Sequence, residues 1–281
     1  MSSKINIDQA THDQMITFQK GQTPTSNMNL PAKNLRETSL IFGASSGVGR
    51  ALATELASQD HDLILIAREQ VDLIANARDC EIRFGSRVWT FEIDLNEAHF
   101  SAEFHIERVC SASPRIQNIF ICAGANEAKD TGLSDEQTIR KMTEINFLNL
   151  ALFISQISKQ AARIQLKTIL VCSSIAAHAP RSKNIAYASA KAALESFCCG
   201  LRHFLSSQNI RVQIYVLGYL DTGLSYGQKL LFPAVEPKLV AQKMIKNLNR
   251  DVGRVFYPWF WRFIIVALRF LPWAIYKRLK F

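Results

Sequence analysis

None of the six cysteines (Cys80, Cys110, Cys122, Cys172, Cys198 and Cys199) belongs to a Cys-x-x-Cys pair, and the six histidines form no His-Glu-x-x-His pattern. Zinc-ribbon, thiol-redox and zinc-protease readings therefore have no support, and no metal is expected. The cysteines read instead as small hydrophobes, most of them interior, in a reducing compartment. The first 36 residues are polar and contain no apolar run, so no secretory leader is expected there, and the stretch reads as a flexible or loosely packed arm. No internal repeat is visible. Nowhere does the chain offer the ~20 uninterrupted apolar residues of a membrane-spanning helix.

Acidic residues are missing from one region altogether. Between Arg254 and Phe281 there are six basic side chains and no acid, within a chain of net charge +9. The same stretch holds three of the four tryptophans, Trp259, Trp261 and Trp273. Arg262 and Arg269 lie seven apart, on one face of a helix, and Pro272 would break that helix. A spanning segment is not expected. The pattern predicts a basic amphipathic tail over 259–281, in two short helices split at Pro272, lying on a membrane interface. A tail packed on its own core or on a second subunit is the competing expectation. Nucleic acid is not an expected partner, because the apolar content is too high and no reading motif is present.

The body carries a different kind of signal. Ser39–Phe42 reads as a short buried strand that runs into Gly43-Ala-Ser45-Ser46-Gly47-Val48-Gly49, and Ala51–Ala57 then has helical period. In that setting the first glycine allows a tight turn, Gly47 lets backbone approach a pyrophosphate, and Gly49 lets the helix pack on the strand. The helix N-terminus offers free N–H groups to phosphate. A second strand, Asp62–Ala67, ends at Arg68, which suits a 2′-phosphate, so NADP(H) is favoured over NAD(H). Further strands are predicted at Val88–Ile93, ending at Asp94-Leu95, where a carboxylate can hold an adenine amino group, and at Asn118–Cys122, ending at Cys122-Ala123-Gly124. Two more, Lys167–Cys172 and Arg211–Leu217, lead into Ser173-Ser174 and Gly218–Thr222. Helices are predicted at Gln70–Arg83, Glu97–Ser111, Asp135–Ala162 and Ala186–Ser207. This alternation specifies an α/β fold: one Rossmann-like, doubly wound parallel sheet over 37–258, with ligands at the carboxyl ends of its strands.

Tyr187 and Lys191 are four apart on the last of those helices and project from one face. A nearby ammonium favours the ionised phenol and lowers a pKa that is otherwise near ~10. With Ser174 thirteen residues upstream, the three side chains make acid–base machinery for carbonyl reduction or alcohol oxidation.

Taken in order, the glycine motif, Asp94, Cys122-Ala-Gly124, Asn146, Ser174, Tyr187, Lys191 and Gly218 through Thr222 resemble the short-chain dehydrogenase/reductase family, over about Thr38 to Pro258. The resemblance implies that Tyr187 exchanges the proton, that Lys191 binds the nicotinamide ribose, and that Ser174 bonds the substrate oxygen. It also implies that Asn146 holds a water linking Lys191 to solvent, and that Leu220 and Thr222 touch the cofactor. A homodimer or tetramer in the cytoplasm, peripheral on the inner face of a membrane through the tail, completes the expectation. Two positions depart from the family: Cys122 replaces its asparagine, and Leu217 replaces the proline before Gly218. The Leu-Gly pair is similar to some membrane-associated hydroxysteroid dehydrogenases and points to an apolar or lipidic substrate. Competing readings are a soluble broad-range carbonyl reductase whose tail serves dimerisation, and a cofactor-binding sensor or scaffold without turnover. Substrate identity is not legible, because Tyr219–Glu236, expected to cover the substrate, carries no signature.

Overall fold

The computed structural model describes residues 36–179, 181–222 and 232–278, all within the compact unit Arg36–Phe281. The polar extension, apart from Arg36, and the middle of the segment Tyr219–Glu236 lie outside the described residues.

Seven parallel strands form one sheet in the order β3-β2-β1-β4-β5-β6-β7. They are β1 (Thr38–Phe42), β2 (Asp62–Ala67), β3 (Val88–Glu92), β4 (Asn118–Ile121), β5 (Thr168–Ser174), β6 (Arg211–Leu217) and β7 (Arg254–Tyr257). Six follow from the apolar runs in the sequence. The seventh, β7, is a four-residue edge strand that is only half buried, too short and mixed to stand out from the tail. The strand order reverses between β1 and β4, so the crevice for a ligand opens at the ends of those two strands, beside Gly43 and Cys122.

Alternate strand residues serve two cores. Leu40 and Phe42 face α3 (Ala102–Ala112), α5 (Asn149–Lys159) and α7 (Ile185–Leu205). Ile41 faces α1 (Gly47–Ala57), α2 (Gln70–Phe84) and α8 (Pro237–Lys246). The last of these was not legible as a helix; Pro237 starts it, and Val240, Ala241 and Met244 bury its inner face. Among the cysteines, Cys80, Cys110, Cys172 and Cys198 are buried, whereas Cys199 is exposed.

Two predicted helices differ from what is found. The one expected at Glu97–Ser111 starts at Ala102, because the Ser101 hydroxyl accepts from Phe104 N at 3.3 Å and caps it. The one expected over Asp135–Ala162 is four pieces: α4 (Glu136–Thr143), a π turn over Glu144–Leu148, then α5 and the short α6 (Ala161–Ile164). The cause of the π turn is local. Asn146 Nδ2 donates to Met142 O at 3.0 Å and so takes the carbonyl that the next regular turn would use.

The tail is two helices, α9 (Trp261–Arg269) and α10 (Trp273–Tyr276), separated at Pro272. It is not detached at residue 259, however. Trp261 and Ile265 are buried in the same core as α5 and α7. Trp261 sits against Gly218, where a Cβ would meet its Nε1 at 2.1 Å, so only glycine leaves room for the indole. Tyr219 and Phe232 complete an aromatic cluster around it, with ring centroids 5.7 and 5.0 Å away. The opposite face is apolar and open: Phe263 is 64% exposed, Phe270 83% and Trp273 71%, with Trp259 exposed beside them. No described helix is long and apolar enough to cross a membrane.

Candidate active site

A cavity of about 700 Å³ opens along the carboxyl ends of the central strands. Its first wall is the turn after β1. Gly43 has φ +91°, and a side chain there would meet Ala123 N at 2.6 Å; a Cβ on Gly49 would come within 2.0 Å of Gly43 O. Glycine at both places lets β1, the turn and α1 close on one another. Ser45, Ser46, Gly47 and Val48 line the cavity, while Gly49 lies behind them. Helix α1 begins at Gly47 with no acid in its first turn and no side-chain bond from its N-cap Ser46. Its first N–H groups are thus available to an anion in the cavity.

The ends of β2 and β3 bring Arg68, Asp94 and Leu95 to the same cavity. The Arg68 guanidinium pairs with Glu69, Nε to Oε1 at 2.9 Å, both side chains being well exposed. Asp94 Oδ1 accepts from Asn96 N at 2.9 Å. From β4 come Cys122, Ala123 and Gly124. The Cys122 thiol is 3.6 Å from that of Cys172 on the neighbouring strand; that contact, reinforced by burial, pushes it well above its usual value. Leu220 and Thr222, beyond β6, close the far side.

Ser174, Tyr187 and Lys191 converge deeper in the cavity. Ser174 ends β5 and hydrogen-bonds the Tyr187 phenol. Lys191 Nζ lies 6.0 Å from the Tyr187 ring centroid and donates to Ala123 O at 3.3 Å and Cys172 O at 3.4 Å. Asn146 is fully buried behind the lining. Its Oδ1 accepts from Ala125 N at 3.0 Å and its Nδ2 donates to Ala125 O at 2.9 Å, fixing the loop after β4. Its amide thus bonds protein backbone on both sides, and the kink and the loop share one side chain.

The electrostatics differ from the expectation for an isolated Tyr–Lys pair. Burial pushes the Tyr187 phenol above its usual 10.0, opposed by the Ser174 hydrogen bond. Burial also pulls the Lys191 ammonium below its usual value, with nearby thiols and Glu195 opposing. Desolvation favours the neutral form of each and is the larger effect on both.

Several residues of the site carry no sequence signal. Asp130, 57 residues before Tyr187, accepts from Tyr187 N at 2.8 Å and Ala186 N at 3.0 Å, so it caps the first turn of α7, where Tyr187 lies, from a distant loop. Asn126, Lys141, Arg181, Asn184 and Tyr219 complete the rim. Their role depends on loops brought together by the fold, not on spacing. Among the described residues no cluster of His, Cys, Asp and Glu could hold a metal ion.

Residues 37–229 match the family model described as short chain dehydrogenase. The chain belongs to the short-chain dehydrogenase family. It is accordingly an NAD(P)-dependent oxidoreductase of the carbonyl/alcohol type. An uncharacterized oxidoreductase of Mycobacterium tuberculosis strain H37Rv is 26% identical over 85% of this chain and 96% of its own. The very-long-chain 3-oxoacyl-CoA reductase of Vanderwaltozyma polyspora is 25% identical over 76% of this chain and 64% of its own. Among solved structures, the short-chain dehydrogenase from Sphingobium yanoikuyae in complex with NADPH has the same fold, with TM-score 0.72 and 22% identity over 87% of this chain and 96% of its own.

Proposed function

We propose that this chain is an NADP(H)-dependent oxidoreductase interconverting a carbonyl and a secondary alcohol, with Tyr187 as acid and base, on an apolar, membrane-presented substrate. The observation that carries the reading is the Ser174–Tyr187–Lys191 cluster at the inner end of a cavity whose outer end is the Gly43–Gly49 turn. The donor set fits a dinucleotide: free N–H groups of α1 for the pyrophosphate, Asp94 and Leu95 for the adenine, Arg68 for a 2′-phosphate, and Lys191 for the nicotinamide ribose. The cofactor supplies the hydride when bound.

The protein does the remainder. Ser174 Oγ holds the substrate oxygen, and the Tyr187 phenol gives it a proton in reduction or, as phenolate, takes one in oxidation. Asn146 keeps the loop after β4 in place beside Lys191. The Arg68–Glu69 pair is an exposed ion pair, worth roughly 0–1 kcal/mol. A bidentate phosphate contact is stronger, so a 2′-phosphate displaces Glu69 and NADPH is preferred to NADH.

The open face of α9 and α10 supports an apolar substrate reached from a membrane. It combines Phe263, Phe270 and Trp273 with the exposed Arg262, Arg269, Lys277 and Arg278, in a stretch without acids. Charge complementarity selects an anionic bilayer surface. The Vanderwaltozyma relative, by its name, reduces very-long-chain 3-oxoacyl-CoA, which is consistent with this substrate class. The protein is then cytoplasmic and peripheral, and as a family member it assembles as a homodimer or tetramer. The test is NADPH consumption against a panel of ketones of rising chain length offered in anionic vesicles. Turnover that increases with chain length is expected; turnover confined to short water-soluble ketones, or none, contradicts the reading.

A further inference from the structure

We infer that Glu195 is a positioning residue that locks Ser174 to the helix carrying Tyr187 and Lys191; this rests on the acid–base role proposed for those three. Glu195 is on α7, one turn beyond Lys191, and is 3% exposed. Burying a carboxylate costs several kcal/mol unless it is well partnered. Its partners are specific. Ser173 Oγ donates to Oε1 at 2.5 Å. His178 Nε2 lies 3.1 Å from Oε1 and 3.0 Å from Oε2. Arg254 Nε, from β7, lies 3.3 Å from Oε2, which has no well-aligned hydrogen bond.

Ser173 and His178 bracket one short segment. Ser174 caps the 3-10 turn Ile175–Ala177 inside it, its Oγ accepting from Ala176 N at 3.2 Å. One carboxylate therefore holds the end of β5, through Ser173, and the far side of the turn that follows Ser174, through His178, to the helix that presents Tyr187 and Lys191. From β7, the Arg254 guanidinium adds a third partner on the far side of the same carboxyl group. The clamp fixes the distance between Ser174 Oγ and the Tyr187 phenol, and misplacement of a reacting group by about 1 Å can slow chemistry ~100-fold.

The test is a double-mutant cycle on a ketone that the wild type reduces with NADPH. Glu195→Leu keeps a buried shape and removes the clamp. It is expected to lower kcat about tenfold or more while NADPH binding, read by fluorescence, changes less than about twofold. In the Ser174→Ala background the same substitution is expected to change kcat no further, because the group it positions is absent. An unchanged kcat in the single variant, or the same fractional loss in both backgrounds, overturns the proposal. If Glu195→Leu does not fold, Ser173→Ala deletes a single hydroxyl and carries the same comparison with the same two outcomes. Tyr187→Phe is measured alongside. If it abolishes turnover while Glu195 has no effect, the clamp alone falls; if it leaves turnover intact, the acid–base reading beneath the clamp falls first.

Discussion

At Tyr187 the decisive quantity is a buried phenol whose pKa lies above 10.0, next to an ammonium whose pKa is depressed, both through desolvation. The sign of the pH dependence follows. Reduction uses the neutral phenol, so it persists at neutral pH and is lost only as pH rises through the raised value. Oxidation uses the phenolate, so its kcat climbs with pH across the whole range between about pH 6 and 10. Opposite slopes in the two directions are expected; a falling oxidation profile contradicts the assignment. Arg68→Ala is expected to raise the Kd for NADPH about tenfold or more while that for NADH changes less than about twofold, measured by fluorescence titration. Tyr187, Lys191 and Ser174 were legible because a helical spacing and a chain order define them. Asp130 and Glu195 were not: an acid 57 residues from the tyrosine it holds, and a glutamate on an apolar helix face, acquire their roles only through contacts made by the fold.

Elements whose period is uniform were read nearly to the residue, β2 and β6 among them. Those whose course a single side chain decides were not. Asn146 converts the predicted long helix into two helices joined by a π turn, and Ser101 delays α3 by five residues relative to the expected Glu97 start. Helix α9 shows the same limit in its energetics. Its sequence reads as amphipathic, but nothing in it tells which apolar side chains face the protein. Trp261 does, and removing a buried indole typically costs 3–5 kcal/mol. Trp261→Ala is therefore expected to lower Tm markedly, whereas Phe270→Ser on the open face leaves Tm nearly unchanged. Thermal melts of the two variants check this; equal Tm values contradict the two-faced packing. Truncation before Trp259 removes part of the core, so a deletion after residue 270 is the informative one.

For the whole molecule, one parallel sheet gathers motifs from six strand ends into one cavity, and the same chain places an acid-free, aromatic surface on its C-terminal helices. Full-length protein is expected to float with anionic vesicles, less so at high salt, with a salt-resistant remainder from the aromatic side chains. Phe270→Ser combined with Arg269→Ser weakens flotation; a wild type that stays unbound on neutral and anionic vesicles alike contradicts the membrane contact. The central claim is narrower than this surface: a proton passes through the Tyr187 oxygen during hydride transfer. Its most direct measurement is single-turnover reduction of a bound ketone by NADPH in wild type and Tyr187→Phe, with NADPH binding determined on the same samples. The account predicts a loss in rate of roughly 100-fold or more, as removal of a general acid entails, with NADPH binding nearly unchanged. A Tyr187→Phe protein that binds NADPH and reduces the ketone at the wild-type rate would contradict it.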